Sequence, residues 1–129
     1  MSTISKGNVT ANYFIGNGSQ ITGMITPHVA LNTSTAVTVE DTGKHYYKSA
    51  NGDLTLTVAS NATQPFQVGA KVELVNLATG NITVAQDSGV TLYRAGNSSA
   101  GNKIVTSYGR ATLFKVATDT WIIDGTGVV

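Results

Sequence analysis

A chain of 129 residues is one domain with room for an arm, and on folding it can bury roughly two-thirds of the surface that its unfolded form exposes. Charged residues make up only 12 % of it and the formal net charge is +1. The basic residues are scattered, which leaves no electrostatic footprint for nucleic acid or for an anionic membrane surface. Cysteine is absent, which excludes a disulfide framework and thiolate metal sites.

Threonine is the commonest residue, valine, glycine and alanine follow, and glutamate occurs only at Glu40 and Glu73. Such a mixture starves helices and suits pleated, half-buried strands. The first residues lack a basic start followed by an apolar run, and no apolar stretch approaches the roughly 18 residues of a membrane helix. The expectation is a protein made in the cytoplasm and not exported.

In chain order, residues 1–27 read as an extended arm. Met1 to Val9 has no sustained periodicity; Tyr13-Phe14-Ile15 then runs into Gly16-Asn17-Gly18, a strong turn signal, and Pro27 closes the segment. Ile21, Met24 and Ile25 are too few, and too interrupted by Gly23, for a helix. Apolar side chains left in water cost about 1.5–3 kcal/mol each, so the arm is expected to pack on its own domain or on a neighbouring subunit.

From His28 onward the pattern has period two, which defines a β domain over 28–129. Ala36 to Glu40 alternates, Asp41-Thr42-Gly43 turns, and Lys44 to Ser49 reads as a strand. Asn51-Gly52 is the strongest hairpin signal in the chain, and Leu54 to Val58 alternates cleanly after it. Ala59 to Gly69 is a loop carrying Pro65. Val72 to Leu77 and Ile82 to Val84 flank Ala78 to Asn81, a second expected hairpin connection. Val90 to Tyr93, a loop over Ala95 to Asn102, the short Lys103 to Ser107, and a last hairpin of Ala111 to Val116 with Thr120 to Ile123 complete the chain. About eight or nine short strands, no helix and no fixed-period repeat predict an all-β fold, a compact antiparallel sandwich or barrel with an extended N-terminal arm.

Motifs for chemistry are missing. His28 and His45 have no metal-ligand spacing, and Glu40 and Asp41 near His45 fall at a turn. There is no nucleophile elbow, no P-loop and no dinucleotide-binding glycine pattern; Gly16-Asn17-Gly18 lacks the strand-to-helix context. The acids lie mostly in or beside turns, where aspartate caps backbone more often than it catalyses. No catalytic residue, metal ligand or cofactor is expected, and the protein is read as a non-enzyme. Tyr46 and Tyr47, adjacent in one strand, must point to opposite faces. With Trp121, the only tryptophan, they are the candidate interface aromatics.

Two segments resemble known virion modules. Tyr13-Phe14-Ile15-Gly16-Asn17-Gly18-Ser19-Gln20-Ile21-Thr22-Gly23 is similar to an element found in tail fibres and other structural proteins of tailed bacteriophages. The run from Gly109-Arg110-Ala111-Thr112-Leu113 to Thr118-Asp119-Thr120-Trp121 and Gly125 resembles the ending of small β domains in phage fibres and head-decoration proteins. Phe66 to Val75 and Ser88 to Leu92 are similar to the matching upstream parts, while Asp124 stands where serine is frequent.

The resemblance implies a virion structural protein. Fibres carrying these elements are usually longer, so the expectation is a capsid decoration (cement) protein, a homotrimer on the capsid surface. Its partners would be the major capsid protein and other copies of itself, with no nucleic acid and no membrane. The arm residues Tyr13, Phe14, Ile15, Ile21 and Met24 would be the lashing element. The alternative is a short tail fibre or tail adaptor that meets the host surface, with Tyr46, Tyr47, Tyr93 or Tyr108 towards sugar and weak glycan binding at the Ala95 to Asn102 loop.

Overall fold

The structure, a computed structural model, describes residues 25–129. Ten strands occur among them: β1 His28–Ala30, β2 Thr35–Ala36, β3 His45–Lys48, β4 Leu54–Val58, β5 Lys71–Asn76, β6 Ile82–Gln86, β7 Thr91–Arg94, β8 Lys103–Val105, β9 Arg110–Ala117 and β10 Thr120–Asp124. The only helical element among the described residues is a single 3-10 turn, Val39–Asp41. It replaces the second half of the strand expected over Ala36 to Glu40. Asp41 N–H bonds back to Thr38 O, and the Thr38 hydroxyl donates to the Asp41 carboxylate at 2.8 Å; this local pairing competes with strand extension.

The strands form two sheets, one of six in the order β1-β3-β5-β9-β10-β7 and one of four in the order β2-β4-β6-β8. Both are mixed, which corrects the antiparallel expectation. β1, β3 and β5 run parallel, as do β2, β4 and β6. Antiparallel pairing enters only with β8 and β9, and the expected last hairpin, β9–β10, is present.

From β1 to β6 the chain changes sheet at every connection and so winds three times around the core. The expected hairpins at Asn51-Gly52 and Ala78 to Asn81 are therefore corners between sheets. The reason is visible in their contacts. Gly52 N–H bonds to Thr79 O and Leu54 N–H to Asn81 O, while Asn51 and Asp53 side chains accept from Thr79 and Asn81 N–H. The two corners thus satisfy polar groups on each other, and the second also uses Asn76 at the end of β5. Asn-Gly specifies a sharp reversal; where the following strand finds its partner is a separate question.

Alternation still decides which residues face inward. One buried cluster draws on both sheets, among others Tyr46, Leu74, Leu113 and Trp121 from the larger and Leu56, Ile82 and Val105 from the smaller. Asn76 is fully buried in it, its amide donating to Gly80, Val105 and Thr106 carbonyls and accepting from Ala78 N–H.

Three inward-facing lysines end on loops in place of carboxylates. Lys48 Nζ donates to Thr79 O, Lys103 Nζ to Ser99 O and Gly101 O, and Lys115 Nζ to Asn61 Oδ1 and Phe66 O. Burial pushes the Lys103 and Lys115 ammonium groups below their usual range, because the charged form is the one that loses hydration. Among the described residues no buried side-chain polar atom lacks a partner.

Candidate functional site

Strand register across the six-stranded sheet sets its outward face. His28 lies opposite His45, His45 opposite Glu73, Glu73 opposite Thr112 and Thr112 opposite Asp124. A second row runs Lys71, Phe114, Ile122, Tyr93. The first row is polar and hydrogen-bonded: the Thr112 hydroxyl donates to Glu73 at 2.8 Å, and the exposed Arg110 stands 3.8 Å from the same carboxylate, too open to water to contribute much. The second row is amphiphilic, with Lys71 Nζ 5.5 Å from the Phe114 ring centre. Between the rows lies a shallow cleft of about 380 Å³ bordered by Lys71, Thr112, Phe114, Ile122 and Asp124.

The two histidines meet at the β1 side of this face. His45 Nδ1 lies 3.2 Å from Thr26 O, so it carries the proton; its Nε2 then accepts from His28 Nδ1 at 3.1 Å. The His28 ring also packs 5.4 Å from Tyr47. The pair fastens the start of β1, where residues 1–24 join the domain, to β3. Sequence alone carries no sign of it, because 17 residues separate the partners and only the parallel register brings them together.

The strand edges differ. β8 is covered by the C-terminus, with Ile104 and Val129 exchanging both backbone hydrogen bonds at 2.9 Å and Val105 opposite Val128. Beside β7, Gly101 N–H reaches Leu92 O. At the opposite end, Pro27 O and Leu31 N–H point to β3, so alternation aims the backbone groups of His28 and Ala30 away from it. Those groups, like the outer side of β2, have no partner among the described residues. Between these two free edges opens a cleft of about 330 Å³ lined by Val29, Leu31, Thr35, Thr38, Asp41 and Tyr46.

At its base the Tyr46 hydroxyl donates to Asp41, whose carboxylate also accepts from Thr38 and Lys44. Burial on its own would raise the Asp41 carboxyl; the hydrogen bonds from Tyr46, Thr38 and Lys44, with the Lys44 charge, outweigh it and hold the group below the usual range. Burial, then the bond to Asp41 and its charge, drive the Tyr46 phenol in the opposite direction, well above the usual range.

The expected site residues fall as follows. Tyr13, Phe14, Ile15, Ile21 and Met24 lie outside the described residues. Tyr46 is 2 % exposed and Trp121 1 %, the latter edge-on to Phe66 at 5.1 Å; within one chain neither offers a surface. Tyr47 is half-buried on the outward face beside His28. Asp41 is engaged with Tyr46 and Lys44, while His45 is engaged with His28 and Thr26, so the turn does not assemble an acid–histidine site. Asp53, Asp87 and Asp119 each accept a backbone N–H. Among the described residues no group of three metal-ligating side chains occurs, and no helix is long and apolar enough to cross a membrane. No protein-family model matches the chain, and no curated protein matches its sequence.

Proposed function

We propose that the protein is a structural component of a tailed-bacteriophage particle, a capsid decoration protein that binds the shell surface as an oligomer, a homotrimer by the resemblance. The reading takes the two sheets as a sandwich over their shared core and residues 1–27 as its arm. The observation that carries it is the pair of edges, β1 and β2, that have no outer partner among the described residues, at the end where residues 1–24 join. An edge with unpaired backbone groups is a template for strand addition. An arm from one copy, or a segment of the major capsid protein, completes the sheet there and buries the apolar residues Tyr13, Phe14, Ile15, Ile21 and Met24. The work is done by burial and backbone pairing, without catalysis or cofactor, and modest contacts repeated over a shell sum through avidity.

The test is addition of the purified protein to phage heads that lack it. Saturable binding at a lattice-matched stoichiometry, with a raised head melting temperature, is the expected outcome. Binding to tails or host cells and not to heads replaces it with the second reading, a short tail fibre or adaptor. That reading draws on Tyr108, 71 % exposed on a turn with φ +61°. Such a backbone conformation is rare for a bulky residue and concentrates at functional positions, and the ring is free to stack on a sugar.

A further inference from the structure

Lys115 is a buried nucleophile to which the proposed role gives no task. It sits inside β9 at 1 % exposure, and its Nζ donates to Asn61 Oδ1 at 2.7 Å and to Phe66 O at 2.7 Å. Asn61 comes from the loop after β4, 54 residues away in sequence. Its backbone N–H donates to Asp119 Oδ1 at 2.7 Å, which anchors the loop and holds a carboxylate near enough for its charge to act on Lys115, without an ion pair to Nζ. Trp121, 6.0 Å from Nζ, and Phe66 wall the site.

The other two buried lysines lack this arrangement. Lys48 lies opposite Asn76 in the register, but its Nζ bonds to Thr79 O, and the Asn76 amide is occupied by three carbonyls. Lys103 meets only loop carbonyls. Among the described residues, Lys115 alone combines a buried amine, a side-chain carboxamide in contact with it and a carboxyl group fixed to the same asparagine.

Burial lowers the Lys115 ammonium pKa, with the Asp119 charge opposing, and so raises the share of neutral amine, the nucleophilic form. An amine held against an amide has already lost the translational freedom that adds to the barrier of amide exchange in solution.

We propose that Lys115 and Asn61 become joined by an intramolecular isopeptide bond, with Asp119 as the proton carrier. Rotation of the Asn61 side chain brings Cγ, the carbon bearing Oδ1, to Nζ. The Nζ lone pair attacks Cγ and the carbonyl π electrons move onto Oδ1. One proton leaves Nζ for the Asp119 carboxylate and passes from it to Nδ2. The carbonyl re-forms as the Cγ–Nδ2 bond breaks, Nδ2 departs as ammonia carrying that proton, and Nζ keeps its other proton as a secondary amide. Amine plus primary amide gives secondary amide plus ammonia, with no change of oxidation state and no co-reactant. The bond closes the chain between the β4–β5 loop and β9 and restricts the unfolded state as any long-range cross-link does. It stands independently of the virion reading.

The test is the intact mass of the purified full-length chain under denaturing conditions, followed by peptide mapping. The expected result is a mass one ammonia below that of the sequence and a branched peptide linking the Asn61 and Lys115 segments. Asn61→Ala and Lys115→Arg restore the linear mass, and Asp119→Ala slows or abolishes the loss. A wild-type chain that keeps its full mass after prolonged incubation in the folded state overturns the proposal. So does a loss of ammonia that maps to a cyclised Asn51-Gly52 and leaves Asn61 and Lys115 on separate peptides.

Discussion

At the scale of single residues, the Tyr46–Asp41 contact shows how a buried polar pair reports on pH. Tyr46→Phe keeps the ring in the core and removes the hydroxyl that Asp41 accepts from. The expected loss is about 1.5 kcal/mol, the worth of a hydrogen bond to a charged group, read from urea unfolding at neutral pH. The phenol is raised in the folded state, so its contribution is complete below about pH 10, where tyrosine ionises in the unfolded chain, and is lost as pH rises further. The stability gap between wild type and Tyr46→Phe therefore narrows above that pH. The lowered Lys103 ammonium acts with the opposite sign, but it is common to both proteins and cancels in the difference. A gap that stays constant through the alkaline range would mean that the hydroxyl is not held by Asp41. Neither partner stood out in the sequence as one of a pair; Asp41 read as a turn residue, and only the 3-10 turn aims it inward.

At the scale of elements, the windings are held by their corners. Gly80 has φ +88°, and a Cβ there would lie 2.5 Å from the Gly52 carbonyl carbon and oxygen of the neighbouring winding. Gly43 has a similar φ of +80° but open space around it. Gly43→Ala is expected to cost about 1–2 kcal/mol, the left-handed strain alone. Gly80→Ala adds a clash with backbone that cannot move aside, about 1–3 kcal/mol more. Equal losses of melting temperature in the two variants would refute the stacked corners. Strand existence was legible here because alternation at Leu54 to Val58 or Val72 to Leu77 is local. Strand partnership was not: Thr55 faces Thr83 in a parallel register, and no local signal distinguishes a corner from a hairpin.

At the scale of the whole molecule, the asymmetry of the two ends bears on assembly. One end is closed by Val128 and Val129 on β8; the other leaves β1 and β2 without outer partners among the described residues. Ala30→Pro removes an N–H that points away from β3 and leaves the β1–β3 bonds through Pro27 and Leu31 in place. The expected outcome is a fold within about 1 kcal/mol of wild type, as for changes that spare core and ladder, with oligomerisation and head binding weakened. An unchanged sedimentation profile and unchanged head binding would remove β1 from the assembly surface. The lysines belong to this scale as well. Lys48, Lys103 and Lys115 looked like ordinary strand residues, and the fold spends each on pinning a loop to the core.

What the sequence determined by itself was the all-β character, most of the strand positions and the inward residues. Each follows from composition or from the period-two alternation, which is a property of neighbouring residues. The tertiary structure decided the parallel windings, the histidine pair, the edges left without partners among the described residues and the meeting of Lys115 with Asn61. The steps between windings are unequal, 17 residues from His28 to His45 but 28 from Asn51 to Thr79, so no sequence period marks them. Contacts across such distances are chosen by which edges and faces remain to be buried once the strands have formed, and that is settled only in three dimensions.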